Sequence, residues 1–225
     1  MFNSEYKRLP ENPNVKLYWE PDYEGFELMS GVKPFIQSHL DKAHSVISWA
    51  RNQSSRIYAV RLDLRFPQHY ELSGLRALSN EPLQLFFKSL RKRLERHNRE
   101  ADRLGVRRHA DRFVHLWSRE YDKGHVRPHF HVLLIFNGHA FKSMGDLKVG
   151  GSSLYRMIEE SWLAALRCQG MGQDNLVHVC KSGQYWLHSD NTAGFSDLFR
   201  RISYMAKVRS KSFNDRFHRF GGSRV

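Results

Sequence analysis

His129 and His131 are separated by a single phenylalanine in the run Arg127-Pro-His-Phe-His-Val-Leu-Leu-Ile-Phe136. In an extended chain that spacing puts both imidazoles on one face, side by side, where they can chelate a metal ion. A divalent ion so held can act as a Lewis acid on a phosphoryl oxygen. The same run is the longest apolar stretch of the chain. Leu133 and Ile135 continue the histidine face, while Phe130, Val132, Leu134 and Phe136 form the other. A strand that is apolar on both faces at its far end reads as a central strand, covered on both sides.

Periodicity predicts the elements that position these histidines. Arg56 to Phe66 alternates: Tyr58, Val60, Leu62, Leu64 and Phe66 face one way, and Arg61, Asp63 and Arg65 the other. A helix is expected from about Glu81 to Leu104, with Leu83, Phe86, Phe87, Leu90 and Leu94 inward and Gly105 ending it. Its outer face is basic. Phe113 to Tyr121 and Arg127 to Asn137 read as a hairpin turning at Asp122-Lys123-Gly124. Ser152 or Ser153 can cap a helix from Leu154 to about Cys168. Asn175 to Lys181 reads as a short strand, with Gln184 to Leu187 turning back beside it. A last helix is expected from Phe195 to Arg209, and an early one from Val32 to Ala50, preceded by an irregular arm.

Without the early helix the order is β-α-β-β-α-β, the ferredoxin-like arrangement. The expected fold is therefore α+β, with a central antiparallel sheet, an added N-terminal helix and a C-terminal helix carrying Tyr204. The chain divides into an arm and helix packed on the core (1–55), a core domain (56–209) and a basic C-terminal tail (210–225). In that fold two helices cover Phe130, Val132 and Leu134. His129 and His131 then lie on the opposite, open face with Arg61, Asp63 and Arg65.

The 225 residues carry 36 Lys and Arg against 23 Asp and Glu, a formal net charge of +13. A polyanion partner follows, with nucleic acid ahead of an anionic membrane. No apolar segment approaches the roughly 20 residues needed to span a bilayer. The N-terminus has no signal pattern, and Cys168 and Cys180 have no zinc-ribbon spacing, so a cytoplasmic protein is expected. The glycines around Gly150 are not followed by a phosphate-loop Lys-Ser/Thr, which excludes that ATPase motif.

The run from Arg119 to Gly138 resembles the second motif of Rep-type HUH endonucleases, which initiate rolling-circle replication of phages, satellite prophages, plasmids and small single-stranded DNA viruses. Tyr204-Met-Ala-Lys207 resembles their Tyr-x-x-Lys motif. The resemblance covers about Arg56 to Arg209. It implies a divalent metal, Mg²⁺ or Mn²⁺, held by His129, His131 and a carboxylate on the preceding strand. Glu120 occupies the matching place, with Asp63 and His125 as rival third ligands. The resemblance also implies a nick in single-stranded DNA at a replication origin, through a covalent 5′-phosphotyrosine, with host helicase and polymerase as further partners. An HUH transposase and a non-catalytic nucleic-acid-binding module on the same fold are the alternatives.

The chemistry of the motif residues agrees with that role. A phenol has a reference pKa near 10 and needs help to act as a nucleophile. Lys207 lies one helical turn beyond Tyr204, where an ammonium favours the phenolate and neutralises phosphate charge. Arg61, Arg65, Arg127 and Lys211 are the expected contacts to DNA.

Overall fold

The computed structural model describes residues 6–67, 79–105, 112–122, 127–145, 153–168, 175–213 and 215–225. The chain begins with five short strands: β1 (Arg8–Leu9), β2 (Asn12–Tyr18), β3 (Asp22–Tyr23), β4 (Phe26–Glu27) and β5 (Phe35–Ile36). Helix α1 (Gln37–Gln53) leads to β6 (Arg56–Leu64), α2 (Glu81–Arg103), β7 (Val114–Tyr121) and β8 (Pro128–Asn137). Then come α3 (Leu154–Leu166), β9 (Val177–His188), α4 (Thr192–Ser203), a 3₁₀ turn (Tyr204–Ala206) and β10 (Phe220–Gly222). The protein is thus mixed α and β, built on a five-stranded sheet in the order β10-β7-β8-β6-β9, antiparallel throughout.

Alternation along β6 and β8 divides the core in two. Tyr58, Val60, Leu62, Leu64, Phe130, Val132, Leu134 and Phe136 pack against α2 and α3. Ile57, Ala59, Leu133, Ile135 and Leu116 of β7 pack on the other side, against α1 and α4. Helix α1 buries Leu40, Ala43, Val46, Ile47 and Ala50, an i, i+3, i+4 stripe. The second face is therefore not open along its length. Its apolar half lies under α1 and α4, and its polar half carries Arg61, Asp63, His129 and His131. The basic face of α2 is on the far side of the sheet from the histidines.

Several boundaries differ from the sequence expectation. The arm is not irregular, because β2 pairs with β1 and β5 in a small sheet of its own. Helix α1 starts at Gln37 rather than Val32, since Pro34 disfavours helix at the preceding residue and Phe35 and Ile36 pair with β2. The last helix ends at Ser203 and tightens into the 3₁₀ turn, which places Tyr204 at a helix end instead of mid-helix. Residues 210–225 are not a free tail. Phe220, Gly221 and Gly222 pair with Ser118, Trp117 and Leu116 of β7, and Ser223 N–H donates to His115 O at 2.9 Å.

Strand β9 is a single element of 12 residues, where two short strands were expected. Cys180 to Gly183 bulge opposite Arg61, with Val179 facing Leu62 and Gln184 facing Val60. A Cβ on Gly183 would lie 2.8 Å from Cys180 O and 2.9 Å from Arg61 O, both backbone atoms. Gly183→Ala is therefore expected to destabilise the protein by about 1–3 kcal/mol, measured by urea unfolding. An unchanged midpoint would show that the bulge yields without cost.

Candidate metal centre

Cross-strand register builds the site. On β7 and β8, Ser118 faces His131 and Glu120 faces His129. On the other side of β8, Asp63 of β6 also faces His131. Ser118 and Glu120 are two residues apart and share a face with Leu116, so the strand period that buries Leu116 aims both polar groups at the histidines. His129 Nε2 and His131 Nε2 lie 3.3 Å apart, and Glu120 Oε2 lies 3.5 Å from His131 Nε2. Ligand atoms of these three residues fall within 4.8 Å of one another. Metal–nitrogen bonds are about 2.0–2.1 Å, so a 3.3 Å nitrogen separation suits two ligands of one ion.

The protonation states fit such an ion. His131 Nδ1 lies 2.6 Å from Asp63 Oδ1. Asp63 accepts from Nδ1–H, which turns Nε2 toward His129 and Glu120. Burial would raise the Asp63 carboxyl, but the His131 hydrogen bond and the nearby His131 and Arg61 charges bring it down to about 2. Burial, followed by the charge of His131, lowers His129 to about 4, so this imidazole is neutral near pH 7. Asp63 thus orients a histidine from behind. Its expected rival role as third ligand gives way, in the geometry, to a hydrogen bond on the nitrogen that faces away from the other two ligands. The other rival, His125, lies outside the described residues.

Glu120 is held from both sides. Its Oε1 accepts from Ser118 Oγ at 2.8 Å and Lys211 Nζ at 2.9 Å. Its Oε2 accepts from Lys207 Nζ and Ser210 Oγ. Glu120 and Lys207 side chains are each 2% exposed, and that of Lys211 is fully buried. Burial would raise the Glu120 carboxyl, yet Lys211, His131 and Lys207 hold it well below the usual carboxylate range. Lys211 was expected to contact DNA. It instead serves as an internal counterion, because the chain after Lys207 turns back across β7.

Tyr204 lies beside this cluster, its ring centroid 6.1 Å from that of His131. Lys207 Nζ sits 3.8 Å from the centre of the Tyr204 ring, and the Arg61 guanidinium 5.9 Å from it. These contacts are to the ring. Burial raises the Tyr204 phenol above its ordinary value and the Glu120 charge adds to that, with Arg61 opposing. Burial lowers Lys207 to about 8 against the pull of Glu120.

Arg61 is drawn inside: Nη2 lies 3.0 Å from His131 Nδ1 and 3.5 Å from Asp63 Oδ1, and Nη1 donates to Cys180 Sγ at 3.0 Å. Arg65 is exposed just beyond β6. Arg127 is partly buried and donates to Pro67 O. A cleft of about 380 Å³ lined by Tyr121, Asp122, Ser210, Lys211 and Ser212 opens beside the cluster. Ser118, Ser210 and Cys180 were not singled out from sequence. Ser118 carried a signal, its i−2 position from Glu120 on one strand face.

The YagK/YfjJ C-terminal domain profile matches residues 21–223. The chain belongs to that family. Among its YagK/YfjJ relatives in Escherichia coli K12, the uncharacterized protein YagK is 27% identical over 197 residues, which is 84% of this chain and 94% of YagK. The uncharacterized protein YfjJ is 38% identical over 111 residues, 48% of this chain and 53% of YfjJ. No solved structure matches. The YagK/YfjJ match spans β3 to β10 and so takes in Glu120, His129 and His131 together with Lys207 and Lys211. Among the described residues no helix is long and apolar enough to cross a membrane.

Proposed function

We propose that this chain is a metal-dependent endonuclease of the HUH type, which nicks and rejoins single-stranded DNA on a ferredoxin-like core and thereby starts rolling-circle-type replication. The observation that carries the reading is the convergence of His129, His131 and Glu120 beside the ring of Tyr204. The order β7-β8-β6-β9 within the sheet supports the ferredoxin-like assignment, since the first and third strands of the β-α-β-β-α-β series are central neighbours. The net charge of +13 supports a polyanionic substrate. Single-stranded DNA at an origin is the proposed partner, with a helicase and a polymerase supplied by the host.

His129 and His131, through Nε2, and Glu120, through Oε2, would hold Mg²⁺ or Mn²⁺. When bound, such an ion supplies Lewis acidity to a non-bridging oxygen of the scissile phosphate. The chain's own residues do the rest. Tyr204 Oη attacks phosphorus, the P–O3′ bond breaks and a 3′-hydroxyl leaves. The phenol proton passes to water, water gives a proton to the departing O3′ to make the hydroxyl, and a 5′-phosphotyrosine remains. One phosphodiester replaces another, so the strand can be rejoined without ATP. Asp63 keeps the His131 tautomer, and Lys207 and Arg61 place positive charge around the nucleophile's ring.

The test is incubation with labelled single-stranded oligonucleotides and Mn²⁺. The expected product is a covalent protein–DNA band on the 5′ side of the nick. Cleavage with no such band would make the protein a hydrolase that uses water, and the initiator reading would fall. One observation favours a non-catalytic binding module on the same fold: two lysines already neutralise Glu120. DNA binding with neither cleavage nor Mn²⁺ uptake would establish that alternative.

A further inference from the structure

The two oxygens of Glu120 have different surroundings. Oε1 accepts from Ser118 and Lys211. Oε2 is the oxygen that faces His131 Nε2, and it is also the one that Lys207 holds. A cation bound by His129 and His131 therefore needs the position at Oε2 that the Lys207 ammonium fills. Two positive centres in contact with one carboxylate oxygen repel each other, and the burial of Glu120 and Lys207 weakens screening by solvent. The formal charges sharpen the conflict. Two buried carboxylates, Glu120 and Asp63, face three cationic side chains, Lys207, Lys211 and Arg61, so the cluster is already positive before a dication enters.

Resting on the metal-centre reading above, we propose that Lys207 and the divalent cation are alternative partners of Glu120 Oε2. In the metal-free protein Lys207 occupies that oxygen and closes the site. Cation binding displaces it, while Lys211 stays on Oε1 and keeps the carboxylate in place. The released ammonium already lies against the face of Tyr204, 3.8 Å from the ring centre. It is tethered one turn from the phenol, so a short swing of the lysine stem brings it toward the nucleophile and the incoming phosphate. Metal loading thus delivers Lys207 to the reaction instead of merely adding a ligand set. The cation and the DNA phosphate should favour each other's binding, because the phosphate supplies the negative charge that the freed lysine needs.

Two measurements on the 225-residue chain test this without DNA. The first is calorimetric titration with Mn²⁺ alone. Lys207→Met is expected to bind Mn²⁺ about tenfold more tightly than wild type, within the range that neighbours of a ligand change metal affinity. Lys211→Met removes the same charge from the other oxygen and is expected to weaken binding, since Glu120 loses its anchor. Equal or weaker binding in Lys207→Met overturns the proposal, and so does equal tightening in Lys211→Met, which would reduce the effect to charge alone. The second needs no variant. Wild type is treated briefly with acetic anhydride, with and without Mn²⁺, and lysine peptides are quantified by mass spectrometry. Lys207 should be protected without the ion and labelled with it, while Lys211 stays protected in both. Protection of Lys207 in both states overturns the exchange. If wild type and Lys207→Met both take up no Mn²⁺ and match His129→Ala, the metal centre itself fails. Binding in wild type with no gain in Lys207→Met sinks only the exchange.

Discussion

Tyr204→Phe is expected to lower single-stranded DNA cleavage by at least about 10³-fold, the scale of losing a covalent nucleophile, and to remove the protein–DNA band. The change deletes one oxygen. The ring keeps its place, because Lys207 and Arg61 lie over it and His131 meets it edge to face, contacts that do not involve the hydroxyl. Stability, Mn²⁺ uptake and DNA binding should therefore stay near wild type, which separates loss of chemistry from loss of structure. Digestion of the wild-type adduct and mass spectrometry identify the attachment site. An adduct that persists in Tyr204→Phe, or a nucleotide found on Tyr185, would falsify the assignment. Tyr185 is the nearest rival from sequence, but it lies on β9 facing Ala59, and its phenol is raised chiefly by burial.

Glu120→Ala is expected to cost about 3–5 kcal/mol of folding stability, because it leaves two buried ammonium groups facing a void. Lys207 and Lys211 both depend on this one carboxylate, across 87 and 91 residues of chain. Urea unfolding reads the loss directly, and a loss below about 1 kcal/mol would show that the lysines find other partners. His129→Ala removes a ligand without stranding a charge and should cost much less. The pH dependence follows from the direction of the shifts. Glu120 and Asp63 are both depressed in the folded protein, from ordinary values of 4.5 and 3.8. Their contribution is fully present above those values and is lost as pH falls below them, so wild type should lose stability steeply below about pH 4.5. In Glu120→Ala that acid limb should be shallower.

The parts of the site that lie on one strand or one hairpin were legible in the sequence. The period of two put His129 and His131 together, and pairing the strand that ends at Tyr121 with the one that starts at Pro128 was enough to bring Glu120 opposite His129. The helix positions of α2 and α3 followed from their apolar stripes, and Ser153, one of the two serines expected to cap α3, does so. What could not be read were contacts between segments distant in sequence. Nothing in Lys211 marks it as a partner of Glu120 rather than of DNA, because burial depends on where the chain turns after the 3₁₀ segment. The cover of α1 over the second face depends on tertiary packing as well. Asn175 to Lys181 and Gln184 to Leu187 read as two strands turning back on each other, whereas in the fold Gly183 lets β9 bulge around Arg61 and continue.

Strand β10 has a consequence for how the protein can be handled. The strand that carries Glu120 is flanked by β8 on one side and by β10 on the other, so its ladder is satisfied on both edges along Leu116 to Ser118. Remove the last dozen residues and β7 becomes the rim of the sheet, with free N–H and C=O groups that invite pairing with another copy. Lys42 and His115 would lose Ser223 in the same cut. Fragments that lack β10 should therefore self-associate.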